Sequence, residues 1–448
     1  MNRSCRAPRQ RGSVAGQPLG GGRVRRGYDV RGFARRNAVP VVSVLAALVT
    51  CVFVPPDAGY AGYVEWGTLG RLACMLLAVS GLRASGVFQA LAARFVARCQ
   101  GVRGIVCALV GVTALASMFV TNDMALVALL PLAAACLLAA GRRDLIGIVF
   151  ALQGIAANLC GMLLPFGNPQ NIYLTGTFGI GFADFVAVML PPFAISVALV
   201  VLGCLLAGRG GVAACPPDVS VDKKRAVAYG VLLALCVATV LGVVPVAVSL
   251  VVSLAATLVV ERGLGLVART DWGLIVTFAA FFVFSGNLAR VDVVREAFAG
   301  WLSMGAFLPA ALFSQVISNV PAAVVLSRFT DDWAGLLAGV NVGGAGTPIA
   351  SLATLIVITQ FGALSRELGA CPAAAAPGSS PSPLETGFPA CLPLPDAFAT
   401  LGSQATPSSS EVVVPRPLPT TGHFMALLCA LNAACLAILL AAGLLWGW

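Results

Sequence analysis

The stretch ASMFVTNDMALVALLPLAAAC, Ala116 to Cys136, is apolar on both flanks and carries Thr121, Asn122 and Asp123 side by side at its centre. A second stretch, FSQVISNVPAAVVLSRF (Phe313–Phe329), repeats the arrangement with Ser318, Asn319 and Pro321. An uninterrupted apolar run would read as an ordinary spanning or core helix. Polar groups at the middle of two such runs call for a different fold, because hydrocarbon offers them no partner.

The surrounding chain shows that hydrocarbon is the right reference. Of 448 residues, 59% are hydrophobic and 10% charged, and mean hydropathy is +0.93. A soluble chain of this length cannot hide that much apolar surface. Apolar runs at 39–55, 66–82, 145–163, 183–206, 226–243, 245–260, 271–286, 348–363 and 424–446 are long enough, or nearly so, to span a bilayer. The two interrupted segments, 104–140 and 303–330, add to these.

Charge sets the expected orientation. Ten arginines lie between Arg3 and Arg36. A nucleic-acid arm is one reading of such a run, and a cytoplasmic tail obeying the positive-inside rule is the better one here. The run Ala38–Val54 reads as a retained first span rather than a signal peptide. Arg83, Arg94, Arg98 and Arg103 flank a stretch, 84–98, expected to lie as an interfacial helix on the inner face. Arg142 and Arg143 return to that face. The first interrupted segment therefore enters and leaves from inside. The second is flanked by mixed charges, including Arg290, Asp292, Arg328 and Asp331, that suit the outer face. Opposite-facing hairpins are the sign of an inverted-topology repeat, with halves expected at about 66–206 and 226–363.

Each interrupted segment is followed by an irregular patch: LLPFGNPQNIYL (163–174) after the first and GVNVGGAGTPIASLATL (339–355) after the second. Glycine and proline break helices there, freeing backbone groups that lipid tolerates only against protein or a wet cavity. GGAG (343–346) reads as such a loop, with close helix packing as the alternative. Freed carbonyls can ligate a cation and freed N–H groups an anion. The two tips and two loops are thus expected to converge on one ion and substrate site near the membrane midplane. Asn122 and Asn319, able both to donate and to accept, would bridge solute and helix ends. Asp123 is the sharpest candidate: a carboxylate within a span costs roughly 2.5–3.5 kcal/mol on insertion scales and usually marks an ion or proton path. Its structural alternative is an N-cap for the returning helix. Pro131 and Pro321 read as helix kinks or starts, Arg71 as a snorkelling side chain, and FSGN (284–287) as a helix end.

Other chemistry is poorly served. The 14 cysteines include no CxxC, and most lie in apolar runs, as at Cys74, Cys107, Cys136, Cys160 and Cys236. The single histidine is His423. Paired carboxylates, histidine metal sites and Ser-His-Asp catalysis are all hard to build, so no enzyme and no cofactor is expected, and no nucleotide-binding motif supplies ATP. A channel would favour repeated pore rings over an inverted repeat.

The ordered set TND, GNPQN, SNVPAA and GGAGTPIASLA resembles the ion transporter superfamily, specifically the citrate-transporter-like group that includes divalent anion/sodium symporters, arsenite permeases and NhaD-type antiporters. The resemblance covers about 40–365 and the last span. It implies an elevator-like alternating-access transporter and a homodimer. In the symporter branch both tips carry Ser-Asn-Thr, bind substrate, and hold sodium against the following loop. Carried over, Thr121, Asn122, Ser318 and Asn319 contact both substrate and ion. Asn168, Asn171 and Thr347 join the substrate contacts, and Asp123, Gly167 and Gly346 the ion contacts. Asp123 and Val320 stand where that branch has threonine, and ND and NVP look more like the permease and antiporter branches.

The expectation is therefore an all-α polytopic membrane protein with inverted-topology repeats, two re-entrant hairpins and two broken helices. Its parts are a basic cytoplasmic tail (1–37), a core (38–365), a disordered Pro/Ser-rich loop (366–421) and a final span (422–448). In a cell (inner) membrane it would move an anionic or oxyanionic, citrate- or dicarboxylate-like solute by ion coupling, with sodium or protons as coupling ions. A sodium/proton antiporter or an arsenite-type efflux permease is the alternative.

Overall fold

A computed structural model describes residues 38–99, 101–208, 210, 219–370 and 418–447. The predicted basic tail and most of the predicted Pro/Ser-rich loop lie outside the described residues. Every regular element among those described is helical, as a chain without water at its surface requires, since a helix satisfies its own backbone groups. The main helices are α1 (Ala38–Phe53), α2 (Trp66–Ala84), α3 (Val87–Ala97), α4 (Gly101–Phe119), α5 (Asn122–Ala139), α6 (Ile146–Cys160), α7 (Pro169–Phe178), α8 (Phe182–Leu206) and α9 (Lys223–Val240). They continue with α10 (Val246–Glu261), α11 (Gly265–Arg269), α12 (Gly273–Ala289), α13 (Asp292–Leu302), α14 (Phe307–Ile317), α15 (Asn319–Leu326), α16 (Trp333–Val342), α17 (Leu352–Ala370) and α18 (Thr421–Trp446).

Five helical segments among the described residues are long and apolar enough to cross a membrane alone, and two bent pairs could each serve as one more. The chain is a multi-pass membrane protein. The bent pairs are α2–α3, turned by 51°, and α12–α13, turned by 95°. The first turn is made at Gly86, φ 77°, where an added Cβ would lie 2.8 Å from the Ser220 carbonyl oxygen. Only glycine takes both the left-handed backbone and the contact at no cost. A helix does stand in the stretch 84–98, as α3. α17 runs five residues past the expected core boundary of 365, to Ala370.

α6 forms the centre: all its residues but Ile148 are buried, and α4, α5, α8, α17 and α18 pack around it. Phe361 of α17 stacks on Phe424 of α18 at 3.8 Å between ring centroids. At the periphery α9 and α10 pack on α2, and α1 packs on α12. These outer helices leave large apolar side chains uncovered, among them Leu45, Leu48 and Val52 on α1 and Val248 and Val251 on α10. Apolar stripes of that size belong against acyl chains.

Both interrupted segments break where the polar residues stand. α4 ends at Phe119 and α5 starts at Asn122; α14 ends at Ile317 and α15 starts at Asn319. α4 and α5 have 19 and 18 residues and reach span length, whereas α14 and α15 have only 11 and 8. Each segment is followed by a second helix broken at glycine: α6 and α7 flank 161–168, and α16 and α17 flank 343–351. GGAG is thus a loop, and its glycines also permit close approach, a Cβ at Gly343 falling 2.8 Å from the Ala311 backbone.

FSGN lies in the last turns of α12, which ends at Ala289. Gly286 has no side chain to oppose the Tyr63 ring, which lies where a Cβ would sit. The neighbouring Asn287 donates to the Thr50 hydroxyl of α1 at 3.1 Å. Beside it Arg290 pairs with Asp57 at 2.8 Å and donates to the Tyr63 hydroxyl at 3.0 Å. That bond from Arg290 is the main cause holding the Asp57 carboxyl below its ordinary range. Arg328 donates to the Tyr63 carbonyl at 3.0 Å, so the α1–α2 strap is fastened to both α12 and the end of α15.

Gly339 on α16 touches α14 so closely that a Cβ would meet the Phe307 carbonyl oxygen at 2.3 Å. Gly339→Ala is expected to cost about 1–3 kcal/mol by forcing the two helices apart. Gly230→Ala on α9, where nothing lies within 4 Å, should be neutral or slightly stabilising through helix propensity. Thermal unfolding of the two purified variants in detergent checks the contrast.

Candidate functional site

Four helices begin at one place. A chamber of about 20 Å³ is lined by Thr121, Asn122 and Asp123 at the start of α5, and by Pro169 and Gln170 at the start of α7. Asn319 and Val320 at the start of α15, Ser351 and Leu352 at the start of α17, and Leu274 of α12 complete it. A helix N-terminus carries roughly half a positive charge on its unpaired N–H groups, felt within about one turn. Four such ends bring partial positive charge to one space beside the Asp123 carboxylate, and no Lys, Arg or His among the described residues lines it.

Amide side chains tie the four ends together. Asn122 donates to the Asn158 side-chain oxygen at 3.3 Å, and the Ser351 hydroxyl donates to the same oxygen at 3.3 Å. Asn158, on α6, thus joins the first tip to the second loop. Gly344 lies against it: a Cβ there would fall 2.6 Å from Asn158 Nδ2 and 2.9 Å from Asn319 Nδ2. Behind the chamber, Asn341 of α16 joins the two loops. Its oxygen accepts from Asn168 at 3.4 Å and Gln170 at 3.2 Å, and its Nδ2 donates to Asn171 at 2.7 Å. Asn171 in turn donates to the Met162 and Leu164 carbonyls at 3.2 Å each, holding the broken loop open.

The second tip is strained. Ser318 has φ 78° and ψ 153°, a region that is essentially glycine's and costs of order 1–3 kcal/mol for a residue with a side chain. It is held by two bonds to one carbonyl: Asn319 N–H donates to Ala350 O at 2.9 Å and the Ser318 hydroxyl to the same oxygen at 3.2 Å. Gln315 pins the loop from the other side, donating to the Gly343 and Ala345 carbonyls and accepting from Thr347 N–H.

Some polar capacity is unused. Asn122 Oδ1, an acceptor, and Asn158 Nδ2, a donor, are buried without a hydrogen-bond partner, on residues only 7% and 3% exposed. The Asp123 carboxylate has no hydrogen-bond or ion-pair partner among the described residues. The N-cap of α5 is Thr121, whose side chain makes no capping bond, so Asp123 stands in the first turn and not at the cap. Buried groups of this kind are normally satisfied. Asn122 and Asp123 line the chamber, and Asn158 stands directly behind Asn122 and Ser351, so the unused acceptor, donor and carboxylate lie close together.

Residues 32–332 match the citrate transporter family. The chain belongs to that family. It is 29% identical over 306 residues to an uncharacterized transporter of Methanocaldococcus jannaschii, covering 66% of this chain and 81% of that one. It is 29% identical over 332 residues to the inner membrane protein YbiR of Escherichia coli, covering 70% and 85%. A silicon efflux transporter of Oryza sativa is 30% identical over 181 residues, covering 39% and 36%. These relatives place the family member among membrane transporters.

Of the residues singled out from sequence, Thr121, Asn122, Asp123 and Asn319 line the chamber. The others sit differently. Ser318 faces a larger neighbouring cavity. Asn168 and Asn171 lie behind the chamber and are engaged with Asn341. Gly167 packs on the Gly161 carbonyl, and Gly346 and Thr347 pack on Gln315, with Thr347 exposed. Three polar residues central to the geometry, Asn158, Gln315 and Ser351, were not among the predicted site residues. The signal for Asn158 was present: it is an amide in an otherwise apolar helix. Gln170 and Asn341 stood inside the recognised patches, but only the fold shows that they touch.

Asn341→Ala would leave the buried amides of Asn168, Gln170 and Asn171 each short of a partner. An orphaned buried group costs about 1–3 kcal/mol, so the variant should lose about 2–4 kcal/mol of stability, read as a lowered unfolding midpoint. Asn341→Gln is expected not to rescue it, since the longer side chain cannot meet three partners at once.

Proposed function

We propose that this protein is an ion-coupled secondary active transporter of a small anionic or oxyanionic solute, working by alternating access. One observation carries the reading: four helix N-termini and their amides face a chamber that also holds an unpaired carboxylate. The helix ends and the free amide donor of Asn158 suit the oxygens of an anion. Asp123, Asn122 Oδ1 and the Thr121 hydroxyl offer oxygen ligands to a cation.

The pairing explains coupling. An ionised Asp123 about 4 Å from a solute's negative charge would repel it by about 4 kcal/mol at an effective dielectric of 20, nearly a thousandfold in affinity. A sodium ion or proton at Asp123 cancels that repulsion. Solute and cation then bind together or hardly at all, which is what a symporter needs. The two interrupted hairpins, read as halves of an inverted repeat, would expose the chamber to opposite faces in turn. The same reading takes the solute as citrate- or dicarboxylate-like, the N-terminus as cytoplasmic, the bilayer as the cell (inner) membrane and the assembly as a homodimer. The name of the Escherichia coli relative supports the membrane assignment. In this conformation the chamber, about 20 Å³, has room for little more than one water-sized particle. The loops must separate to admit an organic anion.

A sodium/proton antiporter or an efflux permease is a second reading. It is favoured by a carboxylate in a chamber without cationic side chains, and by the efflux named for the Oryza sativa relative.

Purified protein screened by thermal shift against dicarboxylates, citrate, arsenite, sulfate, sodium and lithium should be stabilised by its solute only when the coupling cation is present. In proteoliposomes, Asp123→Asn is expected to abolish cation dependence while assembly stays intact. Asn122→Ala and Asn319→Ala should each raise the apparent solute constant at least tenfold. Sodium-driven dequenching of a pH dye with no solute present supports the antiporter instead. Wild-type cation dependence in Asp123→Asn would sink both readings of that carboxylate.

A further inference from the structure

A cavity of about 580 Å³ lies beside the chamber, between α1, α12, the second tip and the start of α17. Leu274, Val320 and Leu352 line both spaces, so these three side chains are the partition between them. The cavity wall is mainly apolar, and Asp271 is the one charged residue in it among the described residues. Asp271 is exposed, accepts a hydrogen bond from Gly273 N–H at 3.1 Å, and has no ion-pair partner among the described residues. Across the partition stands Asp123, also unpaired.

We propose that this cavity is the coupling cation's path to the chamber. Asp271 gathers a monovalent cation, sodium or a proton carried by water, at the outer end. Leu274, Val320 and Leu352 form an apolar neck, and Asp123 receives the cation. The proposal rests on the reading of Asp123 as the coupling carboxylate. Two facts choose the occupant. Among the described residues the charged side chains along the route, Asp271 and Asp123, are both acidic, which concentrates cations and repels anions. The chamber beyond the neck takes only a water-sized particle, which excludes an organic anion in this conformation. An apolar constriction of this kind blocks hydrated ions until it widens and wets, so the neck keeps the cation from leaking when the chamber is closed.

Two measurements test the path. First, a Leu274→Cys variant, three residues from Asp271, is labelled with a cationic and an anionic methanethiosulfonate reagent, its rate taken over that of the parent protein. The cationic reagent should react about five- to tenfold faster, and Asp271→Asn should bring the ratio close to one. No preference, or a preference that survives Asp271→Asn, overturns the route. Second, half-maximal uptake of radioactive sodium into proteoliposomes, with a pH dye read in parallel for protons, should need about three- to tenfold more cation in Asp271→Asn. Unchanged cation dependence there, alongside lost coupling in Asp123→Asn, overturns the path but leaves the transporter reading standing. Unchanged coupling in Asp123→Asn overturns the reading itself.

Discussion

The structure depends on one constraint: a helix broken inside a bilayer frees backbone and side-chain groups that lipid cannot satisfy. This chain breaks helices at four places and meets the constraint by bringing the breaks together. Ala350 accepts from both the backbone and the side chain of the second tip. Asn171 braces the first loop, Gln315 the second, and Asn158 and Asn341 link the halves across long sequence separations. No one of these breaks would survive alone in hydrocarbon.

The same requirement produces the electrostatics. Breaks that satisfy one another must be close, and here each break presents the start of a helix to a shared space. The resulting positive field comes from backbone and needs no cationic side chain. A guanidinium or ammonium in that position would hold an anion permanently; half-charges spread over four ends hold it only when geometry and charge balance are right. A site meant to release its solute on the other face gains from that moderation. In the proposed mechanism Asp123, in the first turn of one of these helices, would make occupancy conditional on a cation.

Packing around the site separates rigid from adjustable parts. α6 is buried on nearly every side and serves as the fixed wall that carries Asn158. The second tip is short, strained at Ser318 and anchored chiefly through Ala350 and Gln315. Strain at Ser318 is therefore held in place by its surroundings rather than relaxed. The Tyr63 strap, fastened to Arg290 and Arg328, ties this tip's outer end to α1 and α12, so movement of the tip must pull against those ion pairs and hydrogen bonds.

The all-helical membrane fold, the places where helices break and the identity of Thr121, Asn122, Asp123 and Asn319 were determined by the sequence alone. Apolar run length and the position of Gly, Pro and Asn act locally and leave their mark in the linear order. FSGN marked the end of α12 to within two residues, but not the Tyr63 ring that fills the notch at Gly286. Only the tertiary structure decided which polar residues share the chamber. Asn168 and Asn171 turn behind it, Thr347 turns away, and Asn158, Gln170 and Ser351 turn in or brace those that do. The physical reason is that a hydrogen bond between amides some 170 residues apart, as from Gln170 to Asn341, depends on the relative rotation of two helices, which packing sets and periodicity does not record.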